Sequence, residues 1–515
     1  MSGLRRKTNR SVLWQPMSVK PYARVIPQVG SQAREVEQPG LAVRISSDKH
    51  ALVNAEQNQK LRDYEVKTKA AFDAIEPVLK RLVAQQYQEN FVEIAQSLVR
   101  QELGLQLPEH WLRGAWTRQL DVSSLYAFCV FEQFKKMSRR FFEQDPLQGQ
   151  QQDAVMRKFL DLGFHAVGVA PCADGRLAHL TGYVLRLPYG LVRRKAHAGV
   201  LFDISESVRN WVFVEHRRFC SAEPNAAQDP TRYLKIAAYH FSSHDPHHQG
   251  CAAHGSDDHA AASAAQQRLV DFKQAIENRF GCNATVDTLL MGVNTDNDSL
   301  RVHVPNHLGE HDLASFIDTA KLYDMTLGMD AAHARQVIRQ QVNQVNVDHG
   351  RTAPVAGMVA LLCWLIENNF SQIEYVRQFE KGCYRDIGHA ERFIGIGNGF
   401  EEVQLRNLTY YSYLDTLEEG AADVDIGIKI FSGLNLNRGL PIPLIIRCDY
   451  DGRVPGSRQR AEQKALRLQN ALHARYSELS QQNKLATLCT LRDNTGYNAS
   501  EQVASSLSLD EAKGH

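Results

Sequence analysis

Apolar residues recur at three- and four-residue spacing along the first part of the chain. Phe72, Ile75, Leu79, Leu82, Phe91, Ile94 and Leu98 form such a series, which predicts amphipathic helices over residues 54–145. Pro77 is expected to break or kink the first of them, because proline lacks an N–H and clashes with the preceding turn. Leu120–Phe142 reads as a second helical stretch whose aromatics (Tyr126, Phe128, Phe131, Phe134) pack a core. From residue 151 to 345 the pattern alternates. A helix over Gln151–Leu162 precedes a strand-like run, His165–Pro171. Tyr233–Tyr239 is a second such run, ended by His240. Ala260–Phe280 reads as a helix and Thr285–Val293 as a strand, and the turn Asn294–Asp298 leads into Leu300–Val304 as a hairpin. Strands separated by helices predict a mostly parallel sheet, and in such sheets sites form beyond the carboxyl ends of strands.

Residues 346–500 repeat this theme. Phe393–Gly397 is similar to the run before Cys172, and Ile442–Arg447, with its polar loop and a helix from Pro455, is similar to Tyr233–His240 with its loop and helix. Arg447 is expected to follow its strand, and no His/Cys pair comes after it. Cys448–Arg453 echoes Cys172–Arg176 only by coincidence, since it carries one extra residue and follows a different strand.

Composition narrows the class. A chain of 515 residues exceeds one ordinary core and suggests about three domains. Its net charge of +1 argues against bulk electrostatic binding of nucleic acid. The longest apolar run, the 12 residues of Val355–Ile366, is too short to span a bilayer. The basic N-terminus has no apolar stretch behind it, so it is no secretory signal. Nine scattered cysteines fit a reducing compartment, the cytoplasm or something enclosed within it. Residues 1–50 stand apart, with nine Lys or Arg, three acids (Glu35, Glu37, Asp48) and four prolines. Such a segment is expected to be disordered and suits a tether for an acidic partner.

The candidate chemistry lies at the strand ends. Cys172-Ala-Asp-Gly-Arg176 follows the first strand, His240 ends the second, and Cys251 comes eleven residues later. Two thiolates and one imidazole can hold Zn²⁺ with a fourth position open for water, which is the equipment for making hydroxide at neutral pH. Asp174 could orient that hydroxide or bind the metal itself, and Arg176 would hold Asp174 ionised and away from it. His254 is the rival ligand for a closed, purely structural site. His244, His247, His248 and His259 read as surface residues.

These residues resemble those of the beta-class carbonic anhydrases, in which two Cys and one His hold zinc beside an Asp–Arg dyad. The longer context resembles one branch, the carboxysome shell carbonic anhydrases of alpha-type carboxysomes. The matching segments are Phe164–Val167, Pro171–Leu177, Pro230–Ile236, Gly250–Ser256, Asp386–Arg392 and Gly439–Pro443. The ordinary class has its His and second Cys three residues apart, so the eleven-residue gap favours the shell branch. The resemblance implies one Zn²⁺ per chain on Cys172, His240 and Cys251, and the dyad Asp174–Arg176. His389 would be a polar neighbour and candidate proton carrier. It further implies reversible hydration of CO₂ to bicarbonate by zinc-bound hydroxide, supplying Rubisco inside a carboxysome, at the inner side of the shell in the bacterial cytoplasm. The tail would tether the chain to Rubisco or to shell proteins, and a homodimer or higher oligomer is implied, without membrane or nucleic acid. The expected architecture is a disordered basic tail (1–50), an all-helical domain (51–150) and a mostly parallel α/β catalytic zinc domain (151–390). A C-terminal domain (391–515) is expected to be its metal-free copy. The alternatives are a shell or scaffold protein with a structural zinc, or another zinc hydrolase.

Overall fold

The first helix starts at Asn54, whose side-chain oxygen accepts the Gln57 amide and satisfies one open N–H of that terminus. The computed structural model describes residues 49–507, apart from 116, 144–145, 147–151, 188–191, 220–231, 282–285, 399, 401, 403 and 497–498. The expected tail therefore lies almost wholly outside the described residues. Helices α1 (Ala55–Asp73), α2 (Ile75–Gln85), α3 (Phe91–Glu102), α4 (Glu109–Arg113) and α5 (Val122–Glu143) make up the N-terminal region. The chain breaks at Ala74, before Pro77 rather than at it. Pro77 sits in the first turn of α2, where its missing N–H would have had no intrahelical partner.

After α6 (Gln152–Asp161) comes a first sheet of β1 (Ala166–Pro171), β2 (Val192–Arg194), β3 (Tyr233–Phe241), β4 (Val286–Asn294), β5 (Leu300–His303) and β6 (Phe316–Asp318). The order is β2-β1-β3-β4-β5-β6. The first four strands in this order are parallel, β5 runs antiparallel to β4, and β6 runs antiparallel to β5. Helices α7 (Ile204–Phe219) and α8 (Asp258–Phe280) link the parallel strands. Every residue of β3 is buried, which is why its sequence is a near-unbroken apolar run. His240 lies inside β3 rather than at its end, because pairing with β4 continues through Phe241.

Helices α9 (Thr319–Thr326), α10 (Ala331–Asp348) and α11 (Ala356–Glu380) follow. The longest apolar run opens α11, and no helix among the described residues is long and apolar enough to cross a membrane. A second sheet is built from β7 (Phe393–Gly397), β8 (Thr409–Tyr413), β9 (Ile442–Tyr450), β10 (Leu485–Asp493) and β11 (Glu501–Ser505). Its order is β8-β7-β9-β10-β11, with only β11 antiparallel. Helices α12 (Leu417–Leu434), α13 (Ser457–Arg475) and the short α14 (Ser477–Gln481) complete it. Arg447 is inside β9, paired with Thr490, and does not follow the strand as expected.

The N-terminal helices pack on the second sheet, not on the one next to them in sequence. Phe134 meets Phe393 at 5.6 Å and Phe400 at 6.0 Å, and Phe72 meets Phe393 at 5.8 Å. These residues share one apolar core, while Trp211, Phe272, Leu289 and their neighbours form another around the first sheet.

Two imidazoles in these cores make stability depend on pH. Burial pulls His50 and His303 down to about 4, and both are 2 % exposed. An unfolded histidine protonates near pH 6.5, so between about 6.5 and 4 the unfolded chain binds more protons, and stability falls as pH drops through that window. Urea midpoints taken across it should fall with acid, and more shallowly in the His50→Gln, His303→Gln double variant. An unchanged slope in that variant would refute the assignment.

Candidate metal site

Strand β1 ends at Pro171. Cys172 follows, its amide still donated to Ala238 O on β3 at 3.1 Å. His240 lies two residues past Ala238 and so on the same face of β3. The loop from His240 to Cys251 is pinned by Asp296, from the turn after β4. Ser242 Oγ donates to Asp296 Oδ1 at 2.8 Å, and the Ser243 and His244 amides both donate to Oδ2 at 2.7 Å. Cys251 then leads a short 3₁₀ turn, Ala252–His254.

Cys172, His240 and Cys251 are all buried, and their donor atoms lie within 4.8 Å of one another. The two sulfurs are 3.9 Å apart. Zinc–sulfur bonds of about 2.3 Å at a tetrahedral angle set two thiolates about 3.8 Å apart, so the pair fits that ion. One hydrogen bond between the sulfurs raises the Cys172 thiol and lowers that of Cys251. A divalent cation would remove both protons.

Asp174 caps the 3₁₀ turn Gly175–Leu177. Its Oδ1 accepts from the Arg176 amide and Nε, each at 2.9 Å, and its Oδ2 accepts from Arg176 Nη2 at 2.7 Å. Arg176 is 1 % exposed and also donates Nη1 to Gln249 O at 2.7 Å and to Ile387 O at 3.1 Å. Burial pushes Asp174 up, but Arg176, His240 and His389 outweigh it and hold the carboxylate well below its usual range. Asp174 Oδ2 also lies 3.3 Å from His240 Nε2.

His389 is the partly exposed member, its Nε2 3.9 Å from Asp174 Oδ2. Its Nδ1 is 3.0 Å from Glu391 Oε1, and the same oxygen accepts the Gly175 amide at 3.2 Å. Burial pulls His389 down, but Glu391 and Asp174 together hold it above the ordinary imidazole value. A Cβ on Gly175 would stand 2.5 Å from Glu391 Cγ, so the approach of Glu391 requires glycine there.

A small cavity opens against Cys172, Asp174 and His240. Its other lining is Ala198, Gly199, Ala252, Ala253, Tyr410, Ile426 and Ile430, and it holds about 10 Å³, room for about one water. Tyr410 comes from β8 and the two isoleucines from α12, so the C-terminal region supplies one side of it. The residues on and just before β8 also hydrogen-bond the segments around Cys172–Arg176 and Ala196. Tyr411 N donates to Ala173 O at 3.2 Å, Tyr413 N to Ala196 O at 2.9 Å, and Asn407 N, just before the strand, to Gly175 O at 2.8 Å.

His254 does not join the group; its Nε2 lies 3.1 Å from Gly199 O. His244, His247, His248 and His259 are exposed. Cys448 is buried in β9, and Asp451 accepts from the Arg453 amide, Nε and Nη2 as Asp174 does from Arg176, but this pair lies at the surface rather than buried in a site. Sequence reading missed Glu391, Asp296, Tyr410, Ile426 and Ile430. Glu391 sits within the matching segment Asp386–Arg392 and could have been found there. The others come from elements remote in sequence, and no local signal marks them.

Models of known families match almost all of the described chain. Residues 50–142 match "Carboxysome Shell Carbonic Anhydrase, N-terminal", 154–389 its catalytic domain and 390–507 its C-terminal part. A carboxysome shell carbonic anhydrase of Hydrogenovibrio crunogenus (strain DSM 25203 / XCL-2) is 61% identical over 456 residues, 88% of this chain and 86% of its own length. One from Prochlorococcus marinus (strain MIT 9313) is 49% identical over 495 residues, 95% of each chain. One from Halothiobacillus neapolitanus (strain ATCC 23641 / c2) is 40% identical over 507 residues, 97% of this chain and 99% of that one. With three consecutive domain matches and relatives similar from end to end, the chain belongs to the carboxysome shell carbonic anhydrase family.

Proposed function

We propose that Cys172, His240 and Cys251 hold one Zn²⁺ per chain, and that this carbonic anhydrase of the carboxysome hydrates CO₂ reversibly at that site. The observation that carries the reading is a small cavity of about 10 Å³, lined by Cys172, His240, Asp174 and apolar residues, against a cluster that Cys251 completes. A structural zinc would want a fourth protein ligand, and His254 is turned to a backbone carbonyl instead.

Zinc bound by these residues supplies the Lewis acidity that generates hydroxide near neutral pH. The chain's own groups do the rest. Asp174, with both oxygens held by Arg176, accepts a hydrogen bond from the nucleophile and orients it. Ile426, Ile430 and Ala198 confine CO₂ and exclude bulk water. His389, at the rim and held by Glu391, is placed to carry the released proton outward.

The C-terminal region is, in this reading, a duplicated copy of the catalytic domain without its metal. Cys172 N donates to Ala238 O on β3, and Asn398 N donates to Arg447 O on β9. Counting from these bonds puts Asn398 where the first copy has Cys172, and Asp449 where it has His240. Asp449 is occupied by Arg447 at 2.9 Å and by Arg492 at 3.7 Å. The basic segment 1–50 acts as the tether to Rubisco or to shell proteins, so that CO₂ is released where it is fixed, and the chain assembles as a homodimer or larger.

Elemental analysis of the purified chain should find one zinc per chain, with CO₂ hydration in stopped-flow assays. Metal-free protein with full hydration activity would overturn the reading.

A further inference from the structure

Helices α1 and α5 leave a groove between them, remote from the metal site in function and lined by none of its residues. Its floor is Phe72, Leu103 and Met137, all buried, and its rim carries Lys67, Lys136 and Arg140. The volume is about 270 Å³, just under the roughly 300 Å³ at which pockets for whole small molecules begin. It suits one anchoring side chain.

Among the described residues, the groove's lining carries three cations, Lys67, Lys136 and Arg140, against one acid, Glu102. Among the described residues, no carboxylate lies within ion-pair distance of Lys67, Lys136, Arg139 or Arg140. The acid beside them, Glu102, is paired with Arg81 at 3.2 Å. Among the described residues, the one hydrogen bond of Lys136 Nζ is to Leu103 O, at 3.4 Å. A side chain at Gly104 would meet that ammonium at 2.6 Å, and Gly104 has φ +62°, so glycine there keeps room for the charged head. Burial lowers the Lys136 pKa, and Arg140, Lys67 and Arg139 lower it further. Like charges gathered at the mouth of an apolar slot are stabilised by an anionic occupant.

We propose that this groove binds an acidic peptide segment of a partner protein, seating one aromatic or aliphatic side chain on Phe72 and Met137 while flanking carboxylates meet Lys67, Lys136 and Arg140. The chain's own N-terminal segment has the wrong sign for an occupant, with nine Lys or Arg against three acids. The mode is that of short-motif recognition, an apolar anchor for affinity and charge for register.

The test uses the full chain and a fluorescein-labelled peptide, Asp-Glu-Phe-Glu-Asp, with a counterpart in which Ser replaces Phe. Fluorescence anisotropy should show the Phe peptide binding about 10-fold or more tightly, since burying that ring is worth about 1.5–3 kcal/mol. The Lys67→Glu, Lys136→Glu, Arg140→Glu variant should lose about 10-fold or more of that affinity. Lys136→Gln, a milder change, should show a smaller loss with CO₂ hydration intact, which guards against misfolding of the triple variant. The proposal is overturned if both peptides bind alike, if neither binds, or if the variants bind as the parent does. It is also overturned if inorganic phosphate takes the groove with no dependence on the anchor, which would make it a small-anion site. A change in oligomeric state of the triple variant without loss of peptide binding would assign the groove to a second copy instead.

Discussion

Replacing Cys172 by Ser should release the zinc and reduce CO₂ hydration by more than about 10³-fold, because water away from the metal ionises some 8 pKa units higher. Cys172 is 4 % exposed and its backbone is held on both sides, by Ala238 O before it and by the His197 and β8 contacts of Ala173 after it. Serine is nearly isosteric, so circular dichroism should be unchanged and the loss assignable to the metal. Its hydroxyl stays protonated at neutral pH, leaving only one thiolate and one imidazole to hold the ion. Cys448→Ser is the control. That thiol is buried in β9 and raised to about 11, so zinc content and activity should stay at parent values. Full zinc occupancy in Cys172→Ser would sink the ligand assignment.

Asp174→Asn separates a catalytic site from a structural one. Zinc should remain at one per chain while hydration falls by about 10²-fold or more, the range lost when a positioned acid–base group is removed. The amide keeps the size of the carboxylate but presents N–H where Oδ1 or Oδ2 now accepts from Arg176. Arg176 keeps the Gln249 and Ile387 carbonyls, so the loop should hold its shape. The lost ion pair is buried at both ends, 1 % and 5 % exposed, and breaking such a pair costs about 3 kcal/mol or more. Urea melts should therefore show a destabilised but folded protein. Undiminished hydration in this variant would mean that Asp174 has no part in the reaction. Loss of zinc together with activity would make it a ligand.

Much of the site was legible because its members are tied to local features. Cys172, Asp174 and Arg176 lie in one five-residue stretch after a strand, and a 3₁₀ turn capped by Asp174 folds the guanidinium back onto that carboxylate. Cys251 was legible as a cysteine in a polar loop where packing was not expected, although it is buried and lies in the core around the first sheet. Some local expectations were displaced by tertiary pairing. His240 and Arg447 were expected at or beyond strand ends, yet both lie within strands lengthened by buried neighbours. The helix break moved from Pro77 to Ala74, since a proline is tolerated in a first turn.

From its sequence alone, this protein's helix and strand types, its two α/β regions and the residues able to ligate a metal could be determined. Periodicity and turn chemistry are properties of neighbouring residues, and a five-residue motif carries its own geometry. Only the tertiary structure decided which remote elements complete the site. Asp296 holds the loop that delivers Cys251, and Glu391 steadies both Gly175 and His389. β8 and α12 close the cavity with Tyr410, Ile426 and Ile430. The tertiary structure also placed the N-terminal helices on the second sheet, far along the chain. The reason is physical: apolar faces bury against whichever surface complements them, and side-chain complementarity between distant segments leaves no periodic mark on either one.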